Sequence, residues 1–439
     1  HQFELGNDYT DEGLLQMSEV AMNALILCDY YHSYPQGDDR ILVMVYKPIV
    51  SLDIDDVCLD FQTHFQKHFN IKLNPYWNGN YDMGKMLDKY DTYCIEFNGI
   101  KFFDGNGYKL PDSLEDEIEA LIRNDMQGIK FPTGAGVGKI KYRTDAREEY
   151  INHAIQSVNV DLQGMKIVVD CAEGASFYTS VEALKELGAE VVAIHNNPDG
   201  TNINANCGST HMEELQARVV YEKAKLGLAF DGDADRLLAV DELGNMVNGD
   251  QIMAIVGNHM KEQGKLKHDT IVATVMSNLG FFLMGEKNGI RMEQTKVGDR
   301  YVLERMREID ASLGGEQSGH VIFLDENTTG DGLLSALHLL QVVVETGKPL
   351  SELAQIMEVM PQALVNAKVP THKKEKYMDY PEIADAIAEL DKKFAGEGRV
   401  LIRPSGTEPL VRVMIEGKDQ KMIEAEAKKL AELIQNIML

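Results

Sequence analysis

The sequence is poor in cysteine, in basic residues and in long apolar runs. Its five cysteines are scattered and include no C-x-x-C pair, which argues against a zinc site or a disulfide framework and is typical of the reducing cytoplasm. Lysine and arginine number 43 against 70 acidic residues, and the formal net charge of −27 disfavours nucleic acid and anionic membrane as partners. No apolar run reaches the roughly 18 residues that a membrane helix needs. These absences favour a cytoplasmic protein.

Length and composition indicate an ordinary multidomain enzyme. A chain of 439 residues is too long for one core and suggests about three or four domains, and 44% hydrophobic with 26% charged residues is usual for globular enzymes. The chain starts at His1 without the basic start and apolar stretch of a signal peptide. The lack of an initiator Met is typical of a fragment or a processed chain.

The most informative stretch is a run of alternating carboxylates between two apolar segments. Asp231, Asp233 and Asp235 follow residues 226–230 and precede residues 237–240, both of which have the composition of strands. Carboxylates that converge repel one another unless a hard cation lies between them, and oxygen-only ligands favour Mg²⁺ or Ca²⁺. A solvated acidic loop is the simpler alternative. An EF-hand is disfavoured because its sixth position, which needs glycine, is Arg236.

The pattern of apolar runs predicts α/β architecture over most of the chain. From about residue 160, short apolar strands alternate with amphipathic helices, and a second such unit starts near Asp250. Within the first of these units, residues 210–213 match a capping box that opens a helix, which Gly227 would close. The predicted fold is multidomain α/β, with three α/β units that have mixed sheets and a C-terminal two-layer α+β domain. The expected boundaries are 1–145, 146–245, 246–355 and 362–439.

A hairpin loop near the C-terminus has the composition of a phosphate cradle. Gly406 lets backbone N–H groups turn toward a ligand, and the neighbouring hydroxyls and guanidinium groups add donors and charge. A β-turn rich in turn-forming residues is the alternative. The candidate residues are Arg403, Ser405, Gly406, Thr407 and Arg412.

A second polar loop, residues 315–320, is suited to reading a sugar. Glu316 and Ser318 stand at alternate positions and could hydrogen-bond adjacent hydroxyls. His320 could contact the ligand or be a structural histidine with all its partners inside the protein, and the residue alone favours the second interpretation.

These motifs together resemble the α-D-phosphohexomutase family. The order Asp-Gly-Asp-Ala-Asp-Arg, Gly-Glu-Gln-Ser-Gly-His, Arg-Pro-Ser-Gly-Thr-Glu-Pro is similar to that of the family, and Lys296-Val-Gly-Asp-Arg also matches. The resemblance implies four domains around one cleft and a cytoplasmic isomerase that moves a phosphoryl group between two positions of a hexose phosphate. It covers the chain from about Asn98 onward.

The resemblance also implies a role for each matching residue. Mg²⁺ would be the cofactor, held by Asp231, Asp233 and Asp235, with Arg236 beside the phosphoryl carrier and Lys101 giving acid–base help. Glu316, Ser318, His320 and Lys296 would bind the sugar, and the hairpin loop with Arg403 and Arg412 would grip the phosphate that does not react. The expected ligands are a hexosamine phosphate, most directly glucosamine 6-phosphate and 1-phosphate, and a hexose bisphosphate; a homodimer is left open.

One family motif is not matched. The carrier serine stands in a Ser-His-Asn-Pro motif, whereas residues 89–97 of this chain contain no serine. Thr92 is the candidate carrier in its place. Three alternatives therefore stay open beside the glucosamine phosphate mutase: a catalytically impaired relative that binds a sugar phosphate or a partner, a metal-dependent hydrolase of sugar phosphates, and a mutase specific for mannose or glucose phosphate.

Overall fold

The computed structural model describes the backbone of residues 27–34 and 37–44, and residues 104, 106–124, 127, 145–405 and 408–439. The N-terminal part contains an antiparallel pair, β1 (Leu27–Tyr34) and β2 (Gly37–Met44), and helix α1 (Asp112–Arg123). Most of the predicted first α/β unit, including Thr92 and Lys101, lies outside the described residues.

The second unit is an α/β layer around a mixed five-stranded sheet. The strand order is β4-β3-β5-β6-β7; β3 is parallel to β4 and β5, while β6 and β7 are antiparallel to their neighbours. The carboxyl ends of β4, β3 and β5 therefore meet at one edge, where α/β proteins commonly place their ligand sites. The elements are α2 (Ala146–Gln156), β3 (Lys166–Asp170), α3 (Ser176–Glu186), β4 (Glu190–Ile194), α4 (Glu213–Glu222), β5 (Leu226–Phe230), β6 (Leu237–Asp241) and β7 (Met246–Val247).

The predicted capping box in this unit is wrong. The Thr210 hydroxyl lies 3.1 Å from the His211 ring instead of capping a helix, and α4 begins only at Glu213 without a side-chain cap. Gly227, expected to close that helix, lies inside β5. A Cβ at Gly227 would be 2.6 Å from Val219 Cγ2, so the glycine serves the close packing of α4 on the sheet.

The third unit is a second α/β layer with a mixed four-stranded sheet of order β11-β10-β8-β9. Strands β10, β8 and β9 are parallel, and β11 is antiparallel to β10. The Asp331 side chain caps α8 by accepting a hydrogen bond from Leu334 N. The elements are α5 (Gly249–Glu262), β8 (Thr270–Thr274), α6 (Leu279–Asn288), β9 (Arg291–Thr295), α7 (Asp299–Ile309), β10 (Leu313–Gly315), β11 (Val321–Phe323), α8 (Gly332–Thr346) and α9 (Leu350–Leu353).

The C-terminal unit is the predicted two-layer α+β domain. Its antiparallel sheet has the order β12-β14-β13, and its last helix packs an apolar stripe on the sheet. The elements are β12 (Gln362–Lys368), α10 (Pro381–Phe394), β13 (Gly398–Pro404), β14 (Leu410–Gly417) and α11 (Gln420–Met438), and the buried stripe consists of Ile423, Ala427, Leu430 and Ile434.

Two contacts fix how the units are joined. One hydrophobic core runs through the second and third units, from Ile151 to Met357. The C-terminal unit is attached to the third by a buried polar junction, in which Glu416 accepts hydrogen bonds from Arg399 Nε (2.8 Å) and Asn278 Nδ2 (3.0 Å). Across the part of the chain described here, no helix combines the length and apolarity needed to cross a membrane.

Candidate active site

The three aspartates of the acidic run lie on the turn of a tight hairpin at the carboxyl edge of the second sheet. Strand β5 ends at Phe230, which pairs with Leu237 of β6, so that residues 231–236 form the connecting loop. Ala234 adopts a left-handed conformation with φ 62, and its N–H bonds to Asp231 O at 3.1 Å, which closes the turn. We call residues 231–236 the acidic hairpin.

The electrostatics of the acidic hairpin suit a cation. Burial, followed by the nearby Asp235 and Asp233 charges, raises the pKa of Asp231 to about 7. The Arg236 guanidinium lies beside these carboxylates, with its Nε 3.9 Å from both Asp231 Oδ2 and Asp235 Oδ1. Such concentration of like charge, with oxygen-only donors, fits a hard divalent ion such as Mg²⁺.

The three aspartates do not, however, form the tightest ligand cluster. Among the described residues, the group whose ligand atoms all lie within 4.8 Å of one another is Asp170, His195 and Cys207. The carboxylates of the acidic hairpin repel one another, and a cation between them would favour a closer arrangement.

The sugar-reading loop of the third unit packs directly against the acidic hairpin. Leu237 N donates to Gly319 O at 3.0 Å, and Gly319 has φ 99 with Leu237 O only 2.3 Å from where a Cβ would stand. Only glycine fits there. On the other side, Ala175 N donates to Gly232 O at 2.9 Å. Loops from both α/β units therefore fix the position of the acidic hairpin.

Glu316 and Ser318 lie at the carboxyl end of β10, on the same edge as the loop that follows β9. Glu316 Oε1 accepts from Gly298 N at 3.1 Å, which joins these two loops, and Ser318 Oγ is 3.5 Å from Glu316 Oε2. Ser318 is exposed and Glu316 is partly exposed, so both can reach a ligand. Lys296 is exposed at the end of β9, with Nζ 5.9 Å from the centre of the Tyr301 ring.

His320 is buried between the two loops. Its Nδ1 lies 3.4 Å from Asp235 Oδ2 and its Nε2 3.5 Å from Asp299 Oδ2, while Gly330 N donates to Nε2 at 3.2 Å. Burial alone would lower the His320 pKa, but the Asp235 and Asp299 carboxylates outweigh it and raise the pKa. This placement favours the structural interpretation of His320, which would position Asp235.

The candidate phosphate loop joins β13 to β14. Arg403 and Arg412 stand opposite each other in this antiparallel ladder, an arrangement of like charges that is unfavourable by itself. Among the described residues, the Nε atoms of both are buried without a hydrogen-bond partner, and burial together with the Arg412 charge lowers the Arg403 pKa. Ser405 is buried, and its Oγ accepts from Glu408 N at 3.2 Å. Gly406 and Thr407 lie outside the described residues.

Three residues of this region were missed by the sequence analysis. Lys109 Nζ pairs with Asp299 Oδ2 at 2.7 Å, next to His320. Lys374 is buried, and its Nζ donates to the Ser405 carbonyl at the base of the phosphate loop. Nothing in the local sequence marks Lys109 or Lys374, because their partners are distant in the chain. The third residue is Asp299, whose only signal was the match to Lys296-Val-Gly-Asp-Arg.

Comparison with known families agrees with this arrangement. Three domain models of the phosphoglucomutase/phosphomannomutase family match the chain: α/β/α domain II at residues 148–244, α/β/α domain III at 248–360, and the C-terminal domain at 364–433. The chain belongs to this family, the α-D-phosphohexomutases.

The similar curated relatives are phosphoglucosamine mutases. The enzyme of Ruminiclostridium cellulolyticum is 57% identical over 341 residues, which are 78% of this chain and 76% of the relative. That of Acetivibrio thermocellus is 56% identical over 364 residues, 83% of this chain and 80% of the relative. Within its family, the chain is thus similar to enzymes named phosphoglucosamine mutase.

Solved structures support the fold. A phosphoglucomutase/phosphomannomutase family protein from Burkholderia thailandensis superposes with a TM-score of 0.60 at 22% identity, over 75% of this chain and 70% of that one. The N-acetylphosphoglucosamine mutase of Aspergillus fumigatus, solved in complex with GlcNAc-6P and magnesium, gives 0.52 at 18% identity, over 73% and 74%. The predicted multidomain α/β fold with mixed sheets is confirmed.

Proposed function

We propose that this chain interconverts glucosamine 6-phosphate and glucosamine 1-phosphate by way of a bound bisphosphate. The observation that carries the proposal is the hydrogen-bonded contact between the acidic hairpin and the sugar-reading loop, through Leu237 N and Gly319 O. It brings a candidate cation site next to candidate sugar readers. The identity to phosphoglucosamine mutases supports the choice of sugar.

The proposed roles follow from charge and exposure. Arg403 and Arg412 hold the phosphate that does not react, since an anion would satisfy their buried Nε atoms and relieve the repulsion between them. Glu316 and Ser318 read sugar hydroxyls, with Lys296 at the same edge. Because phosphoryl transfer depends mainly on positioning and charge neutralisation, this division of labour is chemically sufficient once a carrier is present.

The acidic hairpin is the proposed Mg²⁺ site, with Asp231, Asp233 and Asp235 as ligands. When bound, Mg²⁺ would supply charge neutralisation for the transferring phosphoryl group. Arg236 is half-exposed beside these carboxylates, where it can contact the same group. Lys101 and Thr92 are the proposed acid–base group and phosphoryl carrier.

The proposed reaction consists of two successive phosphoryl transfers. The carrier oxygen gives its phosphoryl group to the free hydroxyl of the sugar monophosphate, whose proton passes to a base, and the carrier oxygen takes up a proton. The other phosphoryl group of the resulting bisphosphate then passes to the carrier hydroxyl, which gives up its proton, and a proton is restored to the sugar oxygen that the phosphoryl group leaves. The net change is an isomerisation of the monophosphate.

The direct test is turnover of glucosamine 6-phosphate by the full chain with Mg²⁺ and a hexose bisphosphate primer, followed by ³¹P NMR. Formation of the 1-phosphate supports the proposal. Release of inorganic phosphate without the 1-phosphate would indicate a hydrolase, and binding without either product would indicate a catalytically impaired relative. Repeating the assay with mannose and glucose phosphates tests the sugar.

Arg403→Ala tests whether the candidate phosphate loop binds the sugar phosphate. We expect it to weaken sugar phosphate binding by about 1.5–3 kcal/mol, the range for a hydrogen bond to a charged group, and to leave Mg²⁺ affinity unchanged. Arg123→Ala is the matched control, because Arg123 is an exposed arginine on α1. Calorimetry that finds wild-type affinity in Arg403→Ala would remove this residue from the site.

Intact-mass analysis after incubation with the bisphosphate tests the carrier. A phosphoryl adduct that maps to Thr92 and disappears in Thr92→Val supports the assignment, whereas an adduct that survives in Thr92→Val places the carrier elsewhere.

The division into domains at 1–145, 146–245, 246–355 and 362–439 is likewise a proposal. It is supported by the three matched family domains and by the separate sheets of the described units. A cytoplasmic location is proposed together with this metabolic role.

A further inference from the structure

A cluster of three different metal-binding side chains lies at the same edge of the second sheet as the acidic hairpin. Asp170 ends β3 and His195 directly follows β4, and the parallel pairing of Asp170 with Ile194 brings these two side chains together. Cys207 comes from the loop that leads to α4. One ligand atom from each residue lies within 4.8 Å of the other two.

The surroundings hold these side chains in fixed orientations. Asp170 is fully buried and accepts hydrogen bonds from Ala172 N at 2.9 Å and from Gly208 N at 3.0 Å. His195 Nε2 lies 3.2 Å from Glu214 Oε2. A carboxylate on the outer nitrogen is the usual partner that orients a metal-bound imidazole.

Within the part of the chain that the structure describes, no hydrogen bond reaches the inner nitrogen of His195. His195 Nδ1 is buried and only 3.0 Å from Asp170 Oδ2, yet the two do not have hydrogen-bond geometry. A buried polar atom without a partner is costly, whereas a cation between the nitrogen and the carboxylate would satisfy both. Cys207 is a free, buried cysteine whose sulfur completes the group.

We propose that Asp170, His195 and Cys207 bind a transition metal ion of the zinc class, separate from the Mg²⁺ proposed for the acidic hairpin. The donor set of one carboxylate, one imidazole and one sulfur suits Zn²⁺, which accepts nitrogen and sulfur ligands, and does not suit Mg²⁺. Binding displaces the thiol proton to solvent as the metal–sulfur bond forms. The unpaired spacing of the cysteines argued against a zinc site, but these three ligands come from separate loops that only the fold brings together.

The site is placed to stabilise the acidic hairpin. Gly208, next to Cys207, is bonded to Asp170, and the loop that begins at Cys171 reaches the acidic hairpin through Ala175 N and Gly232 O at 2.9 Å. A metal that ties these loops together would hold the acidic hairpin in place. This role is structural and does not depend on the proposed mutase activity.

Cobalt is a suitable probe, because a cobalt–thiolate bond gives a charge-transfer band in the near ultraviolet that oxygen ligands do not give. The full chain is titrated with Co²⁺ under reducing conditions with Mg²⁺ in excess. We expect a band that saturates at about one equivalent and is lost when Zn²⁺ is added. Absence of any such band in the wild-type protein would overturn the proposal.

Substitutions then identify the sulfur. Cys207→Ser should abolish the band, whereas Cys171→Ala, which removes the neighbouring buried cysteine, should keep it. A band of full strength in Cys207→Ser would assign the sulfur to another cysteine and refute the site.

A second variant covers the case in which Cys207→Ser fails to fold. Glu214 is largely exposed on α4, so Glu214→Gln should fold normally and should lower Co²⁺ affinity by roughly 10–100-fold, the usual effect of losing the partner of a metal-bound histidine. Glu213→Gln, next to it on the same helix, is the control. Unchanged affinity in Glu214→Gln would contradict His195 as a ligand.

Discussion

Replacing Arg399 should show how much the junction between the third and C-terminal units contributes to the free energy of unfolding. Arg399 Nε donates to Glu416 Oε2 at 2.8 Å and Arg399 Nη2 donates to Ser277 O at 2.8 Å, while Glu416 is fully buried. Arg399→Met keeps most of the aliphatic volume but removes both hydrogen bonds and leaves the Glu416 carboxylate without its countercharge.

The expected cost is large. Breaking a buried ion pair by removing one partner usually destabilises a protein by about 3–5 kcal/mol. Asn278 Nδ2, at 3.0 Å, and Leu279 N continue to donate to Glu416, so we expect the lower end, about 3 kcal/mol. The loss should appear as a lower urea midpoint of the transition that includes the C-terminal unit.

The pH dependence has a definite sign. Burial raises the Glu416 pKa, and the Arg399 charge opposes this rise, so Arg399→Met should raise the pKa further. A raised carboxyl pKa means that the folded state gains stability as pH falls through that pKa. The deficit of Arg399→Met should therefore be smaller at pH 5 than at pH 8.

The double variant Arg399→Met/Glu416→Gln provides the decisive comparison. It removes the Glu416 charge as well, so it should be more stable than Arg399→Met, although less stable than the wild type. The extra pH dependence of Arg399→Met should disappear. If Arg399→Met unfolds at the wild-type midpoint, or if the double variant is less stable than Arg399→Met at pH 8, the junction does not work as argued.

Three further predictions test other parts of the molecule. Burial raises the Asp250 pKa from 3.8 to about 6, so the ionised side chain should lower the stability of the folded state by up to about 3 kcal/mol above pH 6. Asp250→Asn should therefore raise the melting temperature at pH 8 but not at pH 4. Gly174→Ala would place a Cβ 2.4 Å from Gly232 O, and by displacing the acidic hairpin it should lower kcat/KM by roughly 100-fold; Gly257→Ala, whose nearest contact is the side-chain Ile271 Cδ1, is its control. Glu316→Gln should lower kcat/KM for glucosamine phosphate more than it lowers affinity for inorganic phosphate, and equal effects on both would make Glu316 structural.

The local motifs could be predicted from sequence because each is contained within a short segment. An acidic run between two short apolar segments of strand-like composition predicts a loop between strands, and the hairpin that carries Asp231, Asp233 and Asp235 has this form. The apolar stripe of α11 and the start of α8 at Asp331 likewise depend on neighbours within a few residues.

Local pattern failed where packing decided the outcome. Gly227 looked like a helix end, but it is needed inside β5 because α4 approaches the sheet closely. The sequence around His320 does not predict the two carboxylates that flank its ring, because Asp235 and Asp299 come from different units.

The chemistry that each loop can perform follows from its own amino acids, because donor type and spacing are properties of a few consecutive residues. Which loops act together depends on the fold. The parallel order of β4, β3 and β5 brings His195, Asp170 and Asp231 to one edge, although they are far apart in the chain. Strand order is set by the burial of entire sheets, a non-local quantity, and for that reason the Asp170–His195–Cys207 cluster and the contacts of Lys374 emerge only in the folded protein.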